Sequence, residues 1–185
     1  MSAVSGSNDV VDSLLRSGCF LRGTFRLSSG GVSSYYVDVR RLYSHPSEAR
    51  TVVLRMAELV RGLGCDVVAG VESGGVPLAA MVAFALGKPL VYVRKEPKKH
   101  GTRKLIEGDE SVLGTAVVID DVATTGSTLL RAVGVLRESG YSVRDAAVVV
   151  DREEGAAQSL AAAGVRLHAL TTLRELVAAS GGGGR

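Results

Sequence analysis

Two neighbouring carboxylates, Asp120 and Asp121, end an apolar stretch and are followed at once by small and hydroxyl-bearing residues. Backbone N–H groups of such a loop, and of a helix that begins after it, can hold a phosphate. The carboxylates can accept hydrogen bonds from ribose hydroxyls, and Gly126 lets the backbone approach a ligand closely. The pattern predicts a sugar-phosphate site formed by Asp120, Asp121, Val122, Ala123, Thr124, Thr125, Gly126, Ser127 and Thr128. A nucleoside-triphosphatase type of phosphate loop is excluded, because no Lys follows the glycine.

A second candidate is a run of basic residues that holds Arg94, Lys95, Lys98 and His100. A solvated charged loop is the simplest interpretation of such a run. Cations there would also stabilise a polyanionic leaving group, whose negative charge grows as its bond breaks. Residues 96–113 are long, charged and without periodicity, which is typical of a binding loop or lid. A closed lid would keep water from a reactive sugar intermediate.

Three further segments carry weaker signals. Residues 25–39 combine aromatic and β-branched residues around a Ser-Ser-Gly-Gly turn, which predicts a hairpin that includes Tyr36. Arg152 follows an apolar stretch, and its planar guanidinium could bind a carboxylate with two hydrogen bonds. A Gly-rich turn holds Ser73 and Gly74. Each segment also has a purely structural interpretation: a hairpin with paired aromatics, an ion pair and an ordinary turn.

These candidates are positioned by alternating strands and helices. Short β-branched stretches separated by helical patterns predict an α/β fold, with a mostly parallel twisted sheet covered by helices on both faces. We predict strands at 66–70, 89–94, 115–121, 143–151 and 165–170, and helices at 10–16, 46–62, 76–86, 127–139, 153–163 and 173–179. Ligands of such sheets bind beyond the carboxyl ends of the strands, which is where the candidate residues fall.

The composition favours one domain in a reducing compartment. The chain has 185 residues, a net charge of +3 and two cysteines without metal-ligand spacing. We therefore expect a single cytoplasmic domain over residues 1–185, with a small N-terminal hood at about 10–45 and a flexible tail at 180–185. No membrane or nucleic-acid partner is expected, because no apolar run is long enough to span a bilayer and the basic residues cluster locally. The histidines His45 and His168 are expected to be structural.

Together the motifs resemble a known family. Residues 117–128 resemble the phosphoribosyl pyrophosphate (PRPP) signature of the type I phosphoribosyltransferases. The spacing Arg-Lys-x-x-Lys-x-His from Arg94 resembles the catalytic loop of orotate phosphoribosyltransferases, and residues 25–38 and 151–154 resemble that family's hood and orotate-binding segments. The Gly-rich turn resembles its pyrophosphate loop. The five matches follow the family's order and cover most of the chain.

The resemblance implies a reaction and roles. Orotate and PRPP would give orotidine 5′-phosphate and pyrophosphate, with Mg²⁺ carried mainly by PRPP oxygens, in a homodimer whose lid, with Lys95 or Lys98, reaches the neighbouring site. The implied catalytic residues are Arg94, Lys98, His100, Asp120 and Asp121. PRPP would also contact Lys95, Ser73, Gly74 and residues 122–128, and orotate would contact Thr124, Arg152 and Tyr36.

The chain departs from the family at two positions. Ser28 and Gly74 stand where many members carry Lys, so affinity for pyrophosphate is expected to depend more on Arg94, Lys98 and His100. Two alternatives to the orotate enzyme remain. A phosphoribosyltransferase for a purine or another base would leave the hood match and Arg152 unexplained. A PRPP-sensing regulator that binds DNA would need an extended basic face or an added helix-turn-helix.

Overall fold

A computed structural model describes residues 6–26, 31–97, 104–109 and 111–181. Its helices are α1 (Gly6–Arg16), α2 (Pro46–Leu63), α3 (Gly75–Leu86), α4 (Ser127–Glu138), α5 (Ala156–Ala162) and α6 (Leu173–Gly181). Its strands are β1 (Phe20–Arg26), β2 (Val32–Val37), β3 (Val67–Val71), β4 (Leu90–Val93), β5 (Ile106–Glu107), β6 (Thr115–Ala123), β7 (Ser142–Asp151) and β8 (Arg166–Thr172). A 3₁₀ helix, Val39–Ser44, joins β2 to α2.

The main sheet has six strands in the order β5-β4-β3-β6-β7-β8. All its neighbouring pairs are parallel except β4 and β5, which are antiparallel. Its central strands read as nearly continuous apolar runs because helices cover both faces, and every residue of β3 is buried. This confirms the predicted α/β fold with a mostly parallel sheet.

Two hydrophobic cores lie on opposite faces of the sheet. Alternate residues of β6 divide between them, so that Val117 and Ile119 pack with α1, α2, α3 and α6. Val118 packs on the other face with α4 and α5. The period-two alternation of strand side chains therefore gives each face of the sheet its own layer of helices. The loops that lead from the strands into these helices begin at one common edge of the sheet.

The pairing register of the parallel strands determines which residues lie at that edge. β3 pairs with β6 through Gly70 and Ile119, and β6 pairs with β7 through Ala123 and Asp151. The carboxyl ends of three neighbouring strands therefore lie side by side. The loops that follow β3, β6 and β7 meet above them.

The predicted N-terminal hairpin is present, but its first strand begins at Phe20 and not at residue 25. Strands β1 and β2 pair antiparallel, and two aromatic pairs stack across them: Phe20 with Tyr35 at a centroid distance of 5.3 Å, and Phe25 with Tyr36 at 5.5 Å. The turn residues 27–30 lie outside the described part of the chain. Helix α1, by contrast, packs into the main core through Leu14 and is not part of a separate hood.

Several boundaries differ from prediction. Helix α5 begins at Ala156, because Glu153 and Gly155 adopt left-handed φ angles of 60° and 102° that no helix continues. The short strand β5 was not predicted, since two residues carry no periodicity, and it falls inside the segment interpreted as a lid. The 3₁₀ helix was also missed, and α6 runs two residues into the expected tail. Within the described residues, no helix is long and apolar enough to cross a membrane.

The close packing of α3 on β3 gives a first prediction. A Cβ on Gly70 would lie 2.9 Å from the Cβ of Ala79 and 3.2 Å from the Cα of Val76. We expect Gly70→Ala to lower the free energy of unfolding by about 1–3 kcal/mol through overpacking. The control is Gly134→Ala in α4, where a Cβ meets nothing within 4 Å. That variant should gain about 0.5–1 kcal/mol in urea unfolding, and an equal response of the two would refute the packing argument.

Candidate active site

A cleft of about 430 Å³ opens at the carboxyl edge of the sheet, between the main body and the hairpin. Its described lining comes from the hairpin and 3₁₀ helix, the β3–α3 loop, the end of β6 and the residue after β7. The lining residues are Arg26, Tyr36, Val37, Asp38, Arg40, Glu72, Ser73, Gly74, Asp120, Asp121, Val122, Thr124, Thr128 and Arg152. Candidates from the Gly-rich turn, the β6 motif, the hairpin and the β7 end thus come together.

The loop after β6 forms an adjoining pocket. It is lined by residues 122–129 together with Asp120 and has a volume of about 350 Å³. Gly126 has a left-handed φ of 84° and directly precedes α4, and no side chain caps that helix. The N–H groups of the first turn therefore face the pocket without a side-chain acceptor, which suits a phosphate.

The two aspartates occupy different environments. Asp120 is buried, at 7% exposed, and its Oδ1 accepts a hydrogen bond of 2.9 Å from the Asp121 N–H. Burial, reinforced by the nearby Asp121 charge, raises the pKa of Asp120 well above its usual value. Asp121 is half-buried and accepts a hydrogen bond of 2.9 Å from the Val122 N–H. Both carboxylates face the cleft, as hydrogen-bond acceptors for ribose hydroxyls must.

The β3–α3 loop lies directly against this pair. A Cβ on Gly74 would overlap the Asp121 carboxylate, and a Cβ on Gly75 would overlap the Ile119 carbonyl. Backbone atoms therefore require glycine at position 75, whereas a side chain at position 74 would require the Asp121 carboxylate to move. The Glu72–Ser73 peptide bond in this loop is cis. Tyr43, which sequence reasoning did not select, donates a hydrogen bond of 3.4 Å to the Gly74 carbonyl.

The other end of the cleft holds Arg152. It is 7% exposed, and its Nε donates to a Glu154 carboxylate oxygen at 2.7 Å. Its second contact, 3.4 Å to the Ser33 hydroxyl, links it to the hairpin. The Tyr36 ring, stacked on Phe25, lines the same cleft. A guanidinium and an aromatic ring that line one cleft could bind a carboxylate and a flat ring, respectively.

Of the four candidates in the basic run, Arg94, Lys95, Lys98 and His100, only Lys95 contacts a residue that lines the cleft among those that the structure describes. The Arg94 guanidinium lies 3.3 Å from a Glu107 carboxylate oxygen and donates to the Glu96 carbonyl, so it is engaged outside the described cleft lining. Lys95 joins the site through its backbone N–H, which donates to the Glu72 carboxylate at 2.6 Å. Lys98 and His100 lie outside the described residues.

Sequence reasoning missed four charged residues of the cleft, namely Arg26, Asp38, Arg40 and Glu72. Their neighbours in sequence were noticed, but charge alone does not show which side of a loop a residue faces. His168, predicted to be structural, lies on β8 and contacts the Asp145 carboxylate at 2.8 Å. It does not belong to the described cleft lining.

The donor set suits a metal held mainly by substrate. Within the described ranges, no group of three or more His, Cys, Asp or Glu side chains could hold a metal ion by itself. The two aspartates at the ribose position offer hard oxygen donors, which Mg²⁺ prefers, but too few to complete its shell. Asp120 and Asp121 could therefore contribute oxygen donors to a magnesium ion, and a bound substrate would have to supply others.

A parallel sheet with a carboxylate pair and an uncapped phosphate loop at its carboxyl edge defines a protein that handles a sugar phosphate. Residues 38–165 match the phosphoribosyl transferase domain family. An orotate phosphoribosyltransferase of Sulfolobus acidocaldarius is 45% identical over 91% of this chain and 85% of its own length.

Solved structures agree with this match. The orotate phosphoribosyltransferase of Aeropyrum pernix superposes with a TM-score of 0.80 at 43% identity, over 95% of this chain and 99% of that one. The orotate phosphoribosyltransferase of Mycobacterium tuberculosis, solved in complex with PRPP, superposes with a TM-score of 0.71 at 29% identity. The match covers 91% of this chain and 92% of that one. The chain belongs to the orotate phosphoribosyltransferases, as its motifs predicted.

The buried carboxylate gives a prediction with a definite sign. Because burial raises the pKa of Asp120, the folded state binds this proton more tightly than the unfolded chain, and ionisation destabilises the fold as pH rises. We expect Asp120→Asn to increase the free energy of unfolding at pH 8, since each pKa unit corresponds to about 1.4 kcal/mol.

The gain should shrink as pH falls toward the ordinary pKa of an Asp, about 4, and vanish below it, where the parent carboxyl is protonated in both states. Urea unfolding across this pH range checks it. The same variant should lose activity, because a ribose acceptor becomes an amide. A stability difference that does not change with pH would contradict the electrostatic origin.

Proposed function

We propose that this protein transfers the phosphoribosyl group of PRPP to orotate, giving orotidine 5′-phosphate and pyrophosphate in pyrimidine nucleotide synthesis. The observation that carries the proposal is a cleft lined by a carboxylate pair, a buried Arg and an aromatic ring, next to a pocket formed by an uncapped phosphate loop. The family membership supports the same reaction, because the relatives over most of the chain are orotate phosphoribosyltransferases.

The 5′-phosphate is assigned to the loop after β6. Its backbone N–H groups and the hydroxyls of Thr124, Thr125, Ser127 and Thr128 supply donors. Asp120 and Asp121 accept hydrogen bonds from the ribose hydroxyls, and their negative charge stabilises the positive charge that develops on the sugar ring as the bond to pyrophosphate breaks. No covalent nucleophile is needed.

Orotate is assigned to the Arg152 end of the cleft. The guanidinium binds the base's carboxylate, and the Tyr36 ring packs on the flat pyrimidine. Thr124, which lines both the cleft and the phosphate pocket, orients the base relative to the sugar.

Pyrophosphate departs on the side of the β3–α3 loop, where Ser73 and Gly74 present backbone groups. Bound Mg²⁺ supplies positive charge to the phosphate oxygens. Arg94, Lys95, Lys98 and His100 complete the positive field. The guanidinium of Arg94 contacts Glu107 of the same chain, so Arg94 would have to leave this ion pair to reach a pyrophosphate.

A homodimer is supported by helix α3, which contains no charged side chain along its 12 residues. One face, including Leu78 and Val82, is buried against the sheet, while Phe84 on the other face is 91% exposed. Beside it runs an apolar groove of about 580 Å³, lined by Tyr43, Pro46, Ala49, Arg50, Val53, Ala80, Met81, Phe84 and Ala85. A helix that is apolar all round is normally buried, and we propose a second copy as its cover.

A reducing compartment is supported by the two cysteines. Cys19 and Cys65 are both buried and unpaired as free thiols. We propose the cytoplasm as the site of action, since disulfides are rare there.

The reaction is tested by following orotate absorbance with purified protein. Consumption should require both PRPP and Mg²⁺. Turnover of a purine base without turnover of orotate would refute the substrate assignment.

The role of Arg152 is tested by Arg152→Gln. Loss of its charge-assisted hydrogen bonds should raise KM for orotate about tenfold or more, while KM for PRPP should change little. The ratio of kcat/KM for orotate to kcat/KM for uracil should fall. The control is Arg174→Gln, which removes an exposed arginine from its ion pair with Glu153 outside the described cleft lining. Equal effects of both variants would contradict a specific role.

The dimer face is tested by Phe84→Glu. The side chain is exposed in the single chain, so the fold should survive, while a buried charge should disrupt the contact between copies. Light scattering should then give the monomer mass instead of twice that mass. The control is Leu113→Glu, which changes an apolar side chain that is 52% exposed and lies away from α3. A dimer that persists in Phe84→Glu would exclude this face.

A further inference from the structure

The cleft contains more positive charge on the hairpin side than the sequence motifs suggested. Among the described lining residues the cations are Arg26, Arg40 and Arg152. Arg152 already bonds Glu154, at the end assigned to the base. The other two lie on the hairpin and the 3₁₀ helix that follows it.

Arg40 stands on that 3₁₀ helix and lines the same cleft as the β3–α3 loop, which Tyr43 of this helix contacts at Gly74. It shares the lining with Tyr36, Gly74 and Asp121. Its Nε donates to the Asp38 carboxylate at 2.7 Å, and its side chain is 56% exposed. An ion pair this exposed contributes at most about 1 kcal/mol, so Asp38 orients Arg40 without trapping it.

The charge of Arg40 is secure. The Asp38 carboxylate, with smaller contributions from Tyr36 and Asp121, raises the pKa of the guanidinium above its usual value. The planar fork of an arginine can donate two parallel hydrogen bonds to phosphate oxygens.

The β3–α3 loop itself cannot supply such a cation at position 74. A Cβ there would overlap the Asp121 carboxylate, so no side chain can enter from that position while Asp121 keeps its place. The loop residues that line the cleft, Glu72, Ser73 and Gly74, include no cation. A polyanion bound there needs neutralising side chains from other elements of the cleft.

We infer that Arg40 is a further substrate-binding residue, which binds the pyrophosphate group of PRPP from the hairpin side of the cleft. The inference rests on the proposed function, because it takes the β3–α3 loop as the pyrophosphate site. Under this inference, pyrophosphate is bound by Arg40 from the same chain in addition to the cations of the basic loop.

The test compares Arg40→Gln with Arg41→Gln. The two arginines are adjacent on one 3₁₀ helix and both exposed, but the Arg41 guanidinium lies next to Gly18 and outside the described cleft lining. Isothermal titration with inorganic pyrophosphate and Mg²⁺, and separately with PRPP, measures binding without turnover. Steady-state assays then give KM for each substrate, and thermal unfolding confirms that both variants fold.

We expect Arg40→Gln to weaken pyrophosphate and PRPP binding about tenfold or more, as for a lost charge-assisted hydrogen bond. KM for PRPP should rise equally, KM for orotate should stay within about twofold, and the loss should diminish at high salt. Arg41→Gln should bind pyrophosphate and PRPP as tightly as the unsubstituted protein and should have the same KM values.

Two outcomes would overturn the inference. The variants could bind pyrophosphate equally well, or Arg40→Gln could raise KM for orotate alone, which would place Arg40 at the base. Both can occur while the parent still converts orotate, so they are separate from a failure of the proposed function. If the unsubstituted protein binds pyrophosphate through Arg40 but does not convert orotate, only the assignment of orotate as the substrate is refuted.

Discussion

The site depends on how closely the β3–α3 loop approaches the end of β6. Backbone and carboxylate atoms leave no room for a Cβ at Gly74 or Gly75, so the loop and the aspartate pair touch without an intervening side chain. This contact requires α3 to lie close on the sheet, which the small residue Gly70 permits. The position of the β3–α3 loop, to which we assign pyrophosphate, therefore follows from packing inside the fold.

The same closeness explains the electrostatics. Two carboxylates on consecutive residues, one of them buried, repel each other and are poorly solvated, which raises the pKa of Asp120. A cation or a developing positive charge placed beside them relieves both penalties. The free protein is thus less stable than it could be at the place where a sugar with cationic character is to be held, which is the usual relation between stability and function at active sites.

The sequence predicted most of the fold because its strands and helices carry strong local signals. The β6 motif and the alternation of apolar runs were sufficient to place Asp120, Thr124 and Arg152 at one edge. The start of α5 was wrong, since the left-handed φ of Glu153 is held by a hydrogen bond from its N–H to the Asp151 carboxylate, which composition does not reveal. Arg40 was missed because adjacent arginines look alike until the 3₁₀ helix separates their directions. The roles of Lys98 and His100, outside the described residues, stay predictions.

The pairing of Arg152 with Glu154 affects how the protein distinguishes its bases. Glu154 acts as an internal ligand that holds the guanidinium in place before any substrate arrives. An arginine has five N–H donors, so the guanidinium can bind a base's carboxylate through its remaining N–H groups while Glu154 stays in place. A base without the carboxylate leaves the internal pair intact, so it avoids the penalty of facing a bare buried charge. Glu154 therefore orients the guanidinium and also limits how strongly this position can reject a base that lacks the carboxylate.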